Sequence, residues 1–369
     1  MKLNRFAQLG AVAAIAALAL AGCASNEGTT NTGGESSSGT EGGTLAGDLV
    51  GGGASSQEVA IQTWTAGIQT ANSDLTVTYD AAGSGAGRES FQEGAFQFAG
   101  SDRAFTAEEI EEGPWDACAE GSDLVELPTY ISPIAVVFNL EGIDTLNLDA
   151  ATLAGIFAGT ITTWNDPAIA ELNADATLPS SAITAVHRSD DSGTTENFTD
   201  YLYATAPDVW TSEPDGVWPL PGGEAANGTS GVISAVEGGE GTIGYADASR
   251  AGELGTVAVQ VGEEFVEYSP EAAAAVVDAS PEEEGRAASD IAIEIDRTTT
   301  EAGVYPIVLV SYLIGCADYE DDTIAANVKG LFTYAASEEG QQAVADAAGS
   351  SPISDTLREQ VTAAIDVIQ

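Results

Sequence analysis

A chain of 369 residues is too long for one ordinary hydrophobic core and points to two domains. It carries 58 acidic against 10 basic residues, a net charge of −48, which excludes nucleic acids and anionic lipid surfaces as partners because both need basic patches. The acidity itself reads as solubility or adaptation to a salty or cell-wall environment, and it carries no functional signal.

In chain order, Lys2 and Arg5 precede an apolar run over 11–20 that is too short to span a bilayer and ends in Leu-Ala-Gly-Cys at 20–23. This is a secretory signal, and its ending resembles the bacterial lipoprotein signal. The resemblance implies a signal peptide over 1–22 and Cys23 as the lipidated first residue of the mature chain. Loss of Lys2 and Arg5 takes the net charge from −48 to −50. Residues 25–43 are Gly, Ser, Thr, Asn and Glu only, so 23–46 is expected to be a flexible tether. No second apolar run reaches about 18 residues, which predicts a soluble body. Cys118 and Cys316 then form an even pair in an oxidising compartment, which predicts a disulfide; two Cys with no nearby His make a poor metal site.

The body alternates strands and helices. Residues 47–54 read as a strand entering a glycine turn, 55–71 as a helix, and 75–79 as an alternating strand. A glycine loop at 82–87 leads to a helix over 89–96 and a strand over 96–102. Residues 129–139 and 305–313 are long apolar segments, expected to cross between the domains in opposite senses. Between them, 153–164 opens a second α/β region that continues through strands at 183–186 and 241–245. Helices are expected at 322–336, 338–347 and 355–368. The alternation predicts mostly parallel α/β sheets.

Three segments share one chemistry. Ser55, Ser84 and Ser192 each sit at a glycine-rich turn that starts a helix, while Asp102 and Arg188 end strands. A helix N-terminus offers free N–H groups and a positive dipole end, and a guanidinium fork suits a tetrahedral oxyanion. Helix capping alone would also explain the hydroxyls. In open α/β sheets ligands bind beyond the carboxyl ends of strands, where all five residues fall.

The ordered motifs Gly-Gly-Gly-Ala-Ser-Ser at 51–56, Ala-Gly-Ser-Gly-Ala-Gly at 82–87, Ala-Gly-Ser-Asp at 99–102, Phe-Ala-Gly-Thr-Ile-Thr-Thr-Trp-Asn-Asp-Pro-Ala-Ile at 157–169, His-Arg-Ser-Asp-Asp-Ser-Gly-Thr-Thr at 187–195, Gly-Thr-Ile-Gly-Tyr at 241–245 and Tyr-Pro-Ile-Val at 305–308 resemble the phosphate-binding lipoproteins of bacterial Pst phosphate ABC importers. The resemblance covers nearly all of 47–369. It implies an α/β, two-lobed type II periplasmic-binding-protein fold with two crossover segments. Lobe I would hold 47–132 plus 304–369, and lobe II 133–303. It further implies capture of inorganic phosphate by the Ser55 hydroxyl, the Ser56 N–H, Ser84 and Asp102 from one lobe. Arg188, Ser192, Gly193 and Thr194 would act from the other, with Asp190 bracing Arg188. Where this family has Thr, an aromatic residue and Pro, the chain has Ser55, Ser56 and Gln57, which leaves open whether Ser55 or Ser56 supplies the first hydroxyl. Gly85 stands where a Ser is frequent. The expected setting is the outer face of the cell membrane, with a lipid anchor, a membrane permease as partner, no cofactor, no metal and a monomeric state.

An enzyme is disfavoured. A Ser hydrolase needs a base, and the single His, His187, lies in a strand with its side chain alternating away from Arg188. The glycine loop lacks the Lys-Ser/Thr of a nucleotide loop. A receptor for sulfate or molybdate is the nearer alternative, and Asp102 discriminates, since a fully ionised anion gives a carboxylate nothing to accept. A surface adhesin would not need Arg188 to meet three serine turns.

Overall fold

The computed structural model describes residues 44–369; the signal segment, Cys23 and the tether up to Gly43 lie outside the described residues. The tether ends sooner than expected. The N–H of Leu45 already donates to Asn72 Oδ1 at 3.0 Å, and Ala46 opens the first strand.

In chain order the first half of the chain runs β1 (Ala46–Gly53), α1 (Glu58–Ala71), β2 (Asp74–Asp80), α2 (Ser84–Gln92), β3 (Phe98–Ser101), α3 (Ala107–Glu112) and β4 (Leu124–Phe138). There follow β5 (Thr145–Leu148), α4 (Ala150–Phe157), α5 (Pro167–Leu172), β6 (Thr184–Arg188), α6 (Gly193–Thr205), β7 (Glu224–Ala226), α7 (Gly228–Gly238) and β8 (Thr242–Asp247). The chain closes with β9 (Gly255–Val261), β10 (Glu264–Val266), α8 (Pro270–Ala279), β11 (Val308–Cys316), α9 (Asp322–Ala336), α10 (Glu338–Ala348) and α11 (Asp355–Asp366).

The strands join in the order β2-β1-β3-β11-β4-β8-β6-β7, with β9 on β4 carrying β5 and β10. β4 is the axle. Its residues 124–133 pair antiparallel with β11, and 134–138 pair antiparallel with β8, so one strand serves both halves. Among the described residues five of the ten strand pairings are parallel and five antiparallel, which corrects the mostly parallel expectation. The reason is topological: a chain that crosses over and returns must run antiparallel to itself where the two crossings meet.

One core lies on the β1–β3 side and joins α1, α2 and α9–α11 through residues such as Trp64, Phe91, Phe98, Leu331 and Val361. A second packs α4–α6 around Phe157, Trp164, Phe198 and Tyr245, and a third lies under α7. α8 and the following segment pack against the first core through Ala273, Val276, Val277, Ile291 and Ala292, while Ala272 of the same helix packs in the second. On the approach to β11 and in its first residues the side chains alternate between cores. Tyr305, Ile307 and Leu309 enter the second, while Val304, Val308 and Val310 enter the first.

Candidate functional site

The site grows out of strand ends. At the end of β1, Gly53 has φ +138°, and a Cβ there would lie 1.9 Å from the carbonyl oxygen of Gly100, so only glycine lets β3 approach. The chain then bends through Ser55 and Ser56, and α1 begins at Glu58 rather than at Ser55. Both serines are thus freed to face across the strand ends. α2 begins earlier than expected, at Ser84, inside the glycine loop. Gly193 is the first residue of α6, and Ser192 caps it by accepting the Thr195 N–H at 3.3 Å. In such a first turn the N–H groups of Gly193 and Thr194 precede the first intrahelical bond.

These turns converge on Asp102, which is 3% exposed. The Ser56 hydroxyl donates to Oδ1 and Oδ2 at 2.7 and 2.8 Å, Thr194 Oγ1 to Oδ2 at 3.1 Å, and Ser311 Oγ to Oδ1 at 2.7 Å. The Asp102 N–H donates to Ser84 Oγ at 3.2 Å. A Cβ on Gly193 would meet Asp102 Cβ at 2.6 Å and Ser84 Oγ at 2.8 Å, so that glycine lets α6 seat its N-terminus on the opposite turn. Asn197 Nδ2 ties the carbonyls of Asp102 and Gly193 together at 2.8 and 2.9 Å. Burial pushes the Asp102 carboxyl up from its ordinary range, opposed by the three hydroxyl donors and by the charge of Arg188.

Arg188 is buried and forms a fork with Asp190, Nε to Oδ1 at 2.8 Å and Nη2 to Oδ2. Asp190 Oδ1 also accepts the Gly228 N–H at the start of α7, at 3.0 Å. Burial raises the Asp190 carboxyl, but the bonds and charge of Arg188 outweigh it and hold Asp190 below the usual carboxylate range. The backbone N–H of Arg188 donates to Tyr245 Oη at 3.3 Å, and Tyr245 shares a 2.7 Å bond with Thr195 Oγ1. Burial pushes the Tyr245 hydroxyl up to about 12, so it remains a neutral hydroxyl.

The two adjacent serines take different directions. Ser56 faces Asp102, whereas Ser55 Oγ accepts the N–H of Thr229 at 3.1 Å and shares a bond with Thr229 Oγ1 at 3.1 Å, capping α7. Ser192 behaves as a helix cap, with its own N–H on the Gly216 carbonyl at 3.0 Å. Sequence reasoning missed Ser311, Thr229, Asn197 and Gly228. The only available signal for Ser311 was a lone serine within an apolar run. Arg103 is paired with Glu109 and Glu196, and Arg88 donates to Ser101 Oγ at 2.8 Å. His187 stacks on Trp218 at 4.8 Å, with both ring nitrogens against backbone carbonyls. Cys118 and Cys316 are joined by a disulfide.

The arrangement sets hydroxyls, helix N-termini and one braced guanidinium around one buried carboxylate, a chemistry that suits an oxyanion. A PBP superfamily domain model matches residues 38–339. The phosphate-binding protein PstS 3 of Mycobacterium tuberculosis is 33% identical over the full length of both chains, and its PstS 2 is 32% identical over 99% of this chain and all of that one. Among solved structures, a high-affinity periplasmic phosphate-binding protein with bound phosphate superimposes with a TM-score of 0.65 at 24% identity, covering 86% of this chain and 93% of that one. A putative phosphate ABC transporter substrate-binding protein from Clostridium perfringens gives 0.59 at 20% identity, covering 83% and 99%. These likenesses carry the type II periplasmic-binding fold that the motifs implied. The chain belongs to the PBP superfamily and, within it, to the family of PstS phosphate-binding proteins.

Proposed function

We propose that this protein is an extracytoplasmic solute-binding lipoprotein that captures inorganic phosphate and delivers it to the membrane permease of an ABC importer, with no catalytic step. The observation that carries the reading is the convergence on Asp102. A carboxylate among hydroxyl and N–H donors can accept from an anion that bears a proton, and Arg188 can hold the same anion by charge. Ser56, Ser84, Arg188, Gly193 and Thr194 surround the anion, with Ser55 and Ser192 at the rim through their helix caps and Asp190 behind Arg188. The residues around β1–β3 and β11 form lobe I, those around β6 and β8 lobe II, and the two crossings near Ile131 and Tyr305 are the hinge.

Cys23 carries the lipid that ties the protein to the outer face of the cell membrane, and the protein acts as a monomer. Cys23→Ala is expected to release the protein or leave its signal uncleaved; continued tight membrane association would count against the anchor. Calorimetry with phosphate and sulfate on chain lacking residues 1–23 tests the ligand. Phosphate binding one to one with no measurable sulfate binding is expected, and absence of phosphate binding would remove the reading.

A further inference from the structure

Ser311 differs from the other hydroxyls on Asp102. Ser56 and Thr194 stem from the turns and first turns of helices, whereas Ser311 comes from the middle of β11, a strand whose nine residues are all buried. A hydroxyl there is costly unless bonded. The β11–β4 register shifts between Ser311 and Tyr312, an irregularity at the residue whose Oγ donates to Asp102 Oδ1 at 2.7 Å.

The four donor contacts divide evenly. Oδ1 accepts from Ser311 and Ser56, and Oδ2 from Ser56 and Thr194. Ser56 and Thr194 lie in the set that reaches the anion under the proposed function. Ser311 is outside that set, on β11, the strand next to β3 in the sheet. We propose that Ser311 is a positioning residue for anion selection: its hydroxyl, donated from β11 to Oδ1, fixes the Asp102 carboxylate so that Oδ2 is presented to a protonated oxyanion. The inference rests on the phosphate reading of the site and adds to it a residue that does not touch the anion.

Several groups bear on Asp102. Arg188 favours its ionised form from β6, Asp247 opposes it from the end of β8, and the buried Tyr79 hydroxyl on β2 is neutral. Loss of the Ser311 donor lets Asp102 hold a proton at higher pH, where one carboxyl oxygen becomes a donor and the negative charge that disfavours sulfate is gone.

Ser311→Ala and Ser311→Cys are compared with native protein by calorimetry with inorganic phosphate from about pH 5 to about pH 8, with sulfate as competitor and thermal melting as a folding control. The cysteine variant is near-isosteric but a weak donor, and it carries the test if the alanine variant does not fold. Affinity near pH 8 is expected to stay within a few-fold of native. Near pH 5 it is expected to fall at least about tenfold further than native does, the scale of a hydrogen bond to a charged group, and sulfate is expected to compete better. Acid limbs that superimpose on the native one, or an equal loss at every pH as a purely structural serine predicts, overturn the proposal alone. Native protein that binds no phosphate at any pH overturns the site reading and this proposal with it.

Discussion

The backbone N–H of Gly85 donates to the carbonyl oxygen of Asp191 at 3.3 Å, so the turn that opens α2 rests on the turn that opens α6. Gly83 enforces the same contact from the other side. It has φ +114°, and a Cβ there would lie 2.7 Å from the Asp191 carbonyl oxygen and 2.8 Å from Asp190 Oδ2. The strain and the closer clash fall on backbone that cannot swing away, and the Asp190 carboxylate is held by Arg188. Gly83→Ala is therefore expected to weaken phosphate binding by at least about tenfold, a loss of about 1.4 kcal/mol. Gly85→Ser should be milder, because its added Cβ meets the exposed carboxyl end of Asp191, which can move. Titration calorimetry on both variants checks the ranking; equal affinities for Gly83→Ala and native protein would show that the turns need not meet.

In the proposed site Arg188 is the charge that holds the anion. Charge-assisted hydrogen bonds are worth roughly 1.5–3 kcal/mol each, and a fork makes two. Arg188→Ala is expected to weaken phosphate binding at least about tenfold. Arg188→Lys should also lose affinity, since an ammonium cannot keep the two-point bond to Asp190 and reach the ligand at once. Unchanged binding in both variants would place the site elsewhere.

The Cys118–Cys316 bridge spans 198 residues and ties the loop after α3 to the end of β11. Replacing both cysteines by alanine is expected to cost about 2–5 kcal/mol of stability. Denaturant titration checks it, together with a thiol assay under denaturing, non-reducing conditions on chain lacking Cys23. Two free thiols in that assay would be at odds with the bridge.

Much of this was legible because the signals are local. The helices α9, α10 and α11 start where Asp321, Ser337 and Ser354 accept first-turn N–H groups, and those capping residues stand in plain view before each helical run. Asp102 and Arg188 were legible as charged strand ends next to glycine turns. Ser311 was not, because its role depends on the register of β11 against β4, a long-range pairing that no local spacing encodes. The opposite directions of Ser55 and Ser56 were hidden for the same reason. The two residues are chemically identical neighbours, and only the position of α7 separates the cap of Thr229 from the donor to Asp102. The mixed sheet likewise follows from which strands meet across the return crossing, not from any strand's own pattern.

Asp247 at the end of β8 is fully buried, accepts from Tyr130 Oη at 3.2 and 3.1 Å and from the Ser249 N–H at 3.0 Å, and pairs with Ile134 where β4 crosses. Burial pushes its carboxyl up to about 6, against the lowering effect of the serine bonds. A raised pKa means that the folded chain binds this proton more tightly than the unfolded one. The resulting stability is present below the unfolded value near 4 and is lost as pH rises through about 6. Asp247→Asn removes that dependence. Its stability relative to native protein should improve by roughly 2–2.5 kcal/mol between about pH 4 and about pH 7, whatever the offset at acid pH. A difference that stays flat across this window would mean that Asp247 does not titrate there.

In the proposed site Asp102 decides which anion is accepted. Near neutral pH phosphate carries at least one proton and sulfate carries none. Oδ2 of Asp102 lies among Ser56 and Thr194, in a buried cluster where a proton-bearing oxygen could donate to it. Sulfate in the same place would set lone pairs and negative charge against the carboxylate. A site built around one such bond can reject the analogue that lacks the donor by about 10⁴–10⁵, and the rejection is a repulsion that only the wrong ligand meets. Native protein is thus expected to bind phosphate and arsenate, with no measurable sulfate binding. Asp102→Asn should keep part of the phosphate affinity, because an amide oxygen still accepts, while sulfate gains, because the amide removes the charge and can turn an N–H toward the anion. An ordinary structural acid after a strand would instead lose both ligands together with the fold. Competition calorimetry with the three anions separates the cases: native protein that takes sulfate as readily as phosphate would make this a general oxyanion receptor.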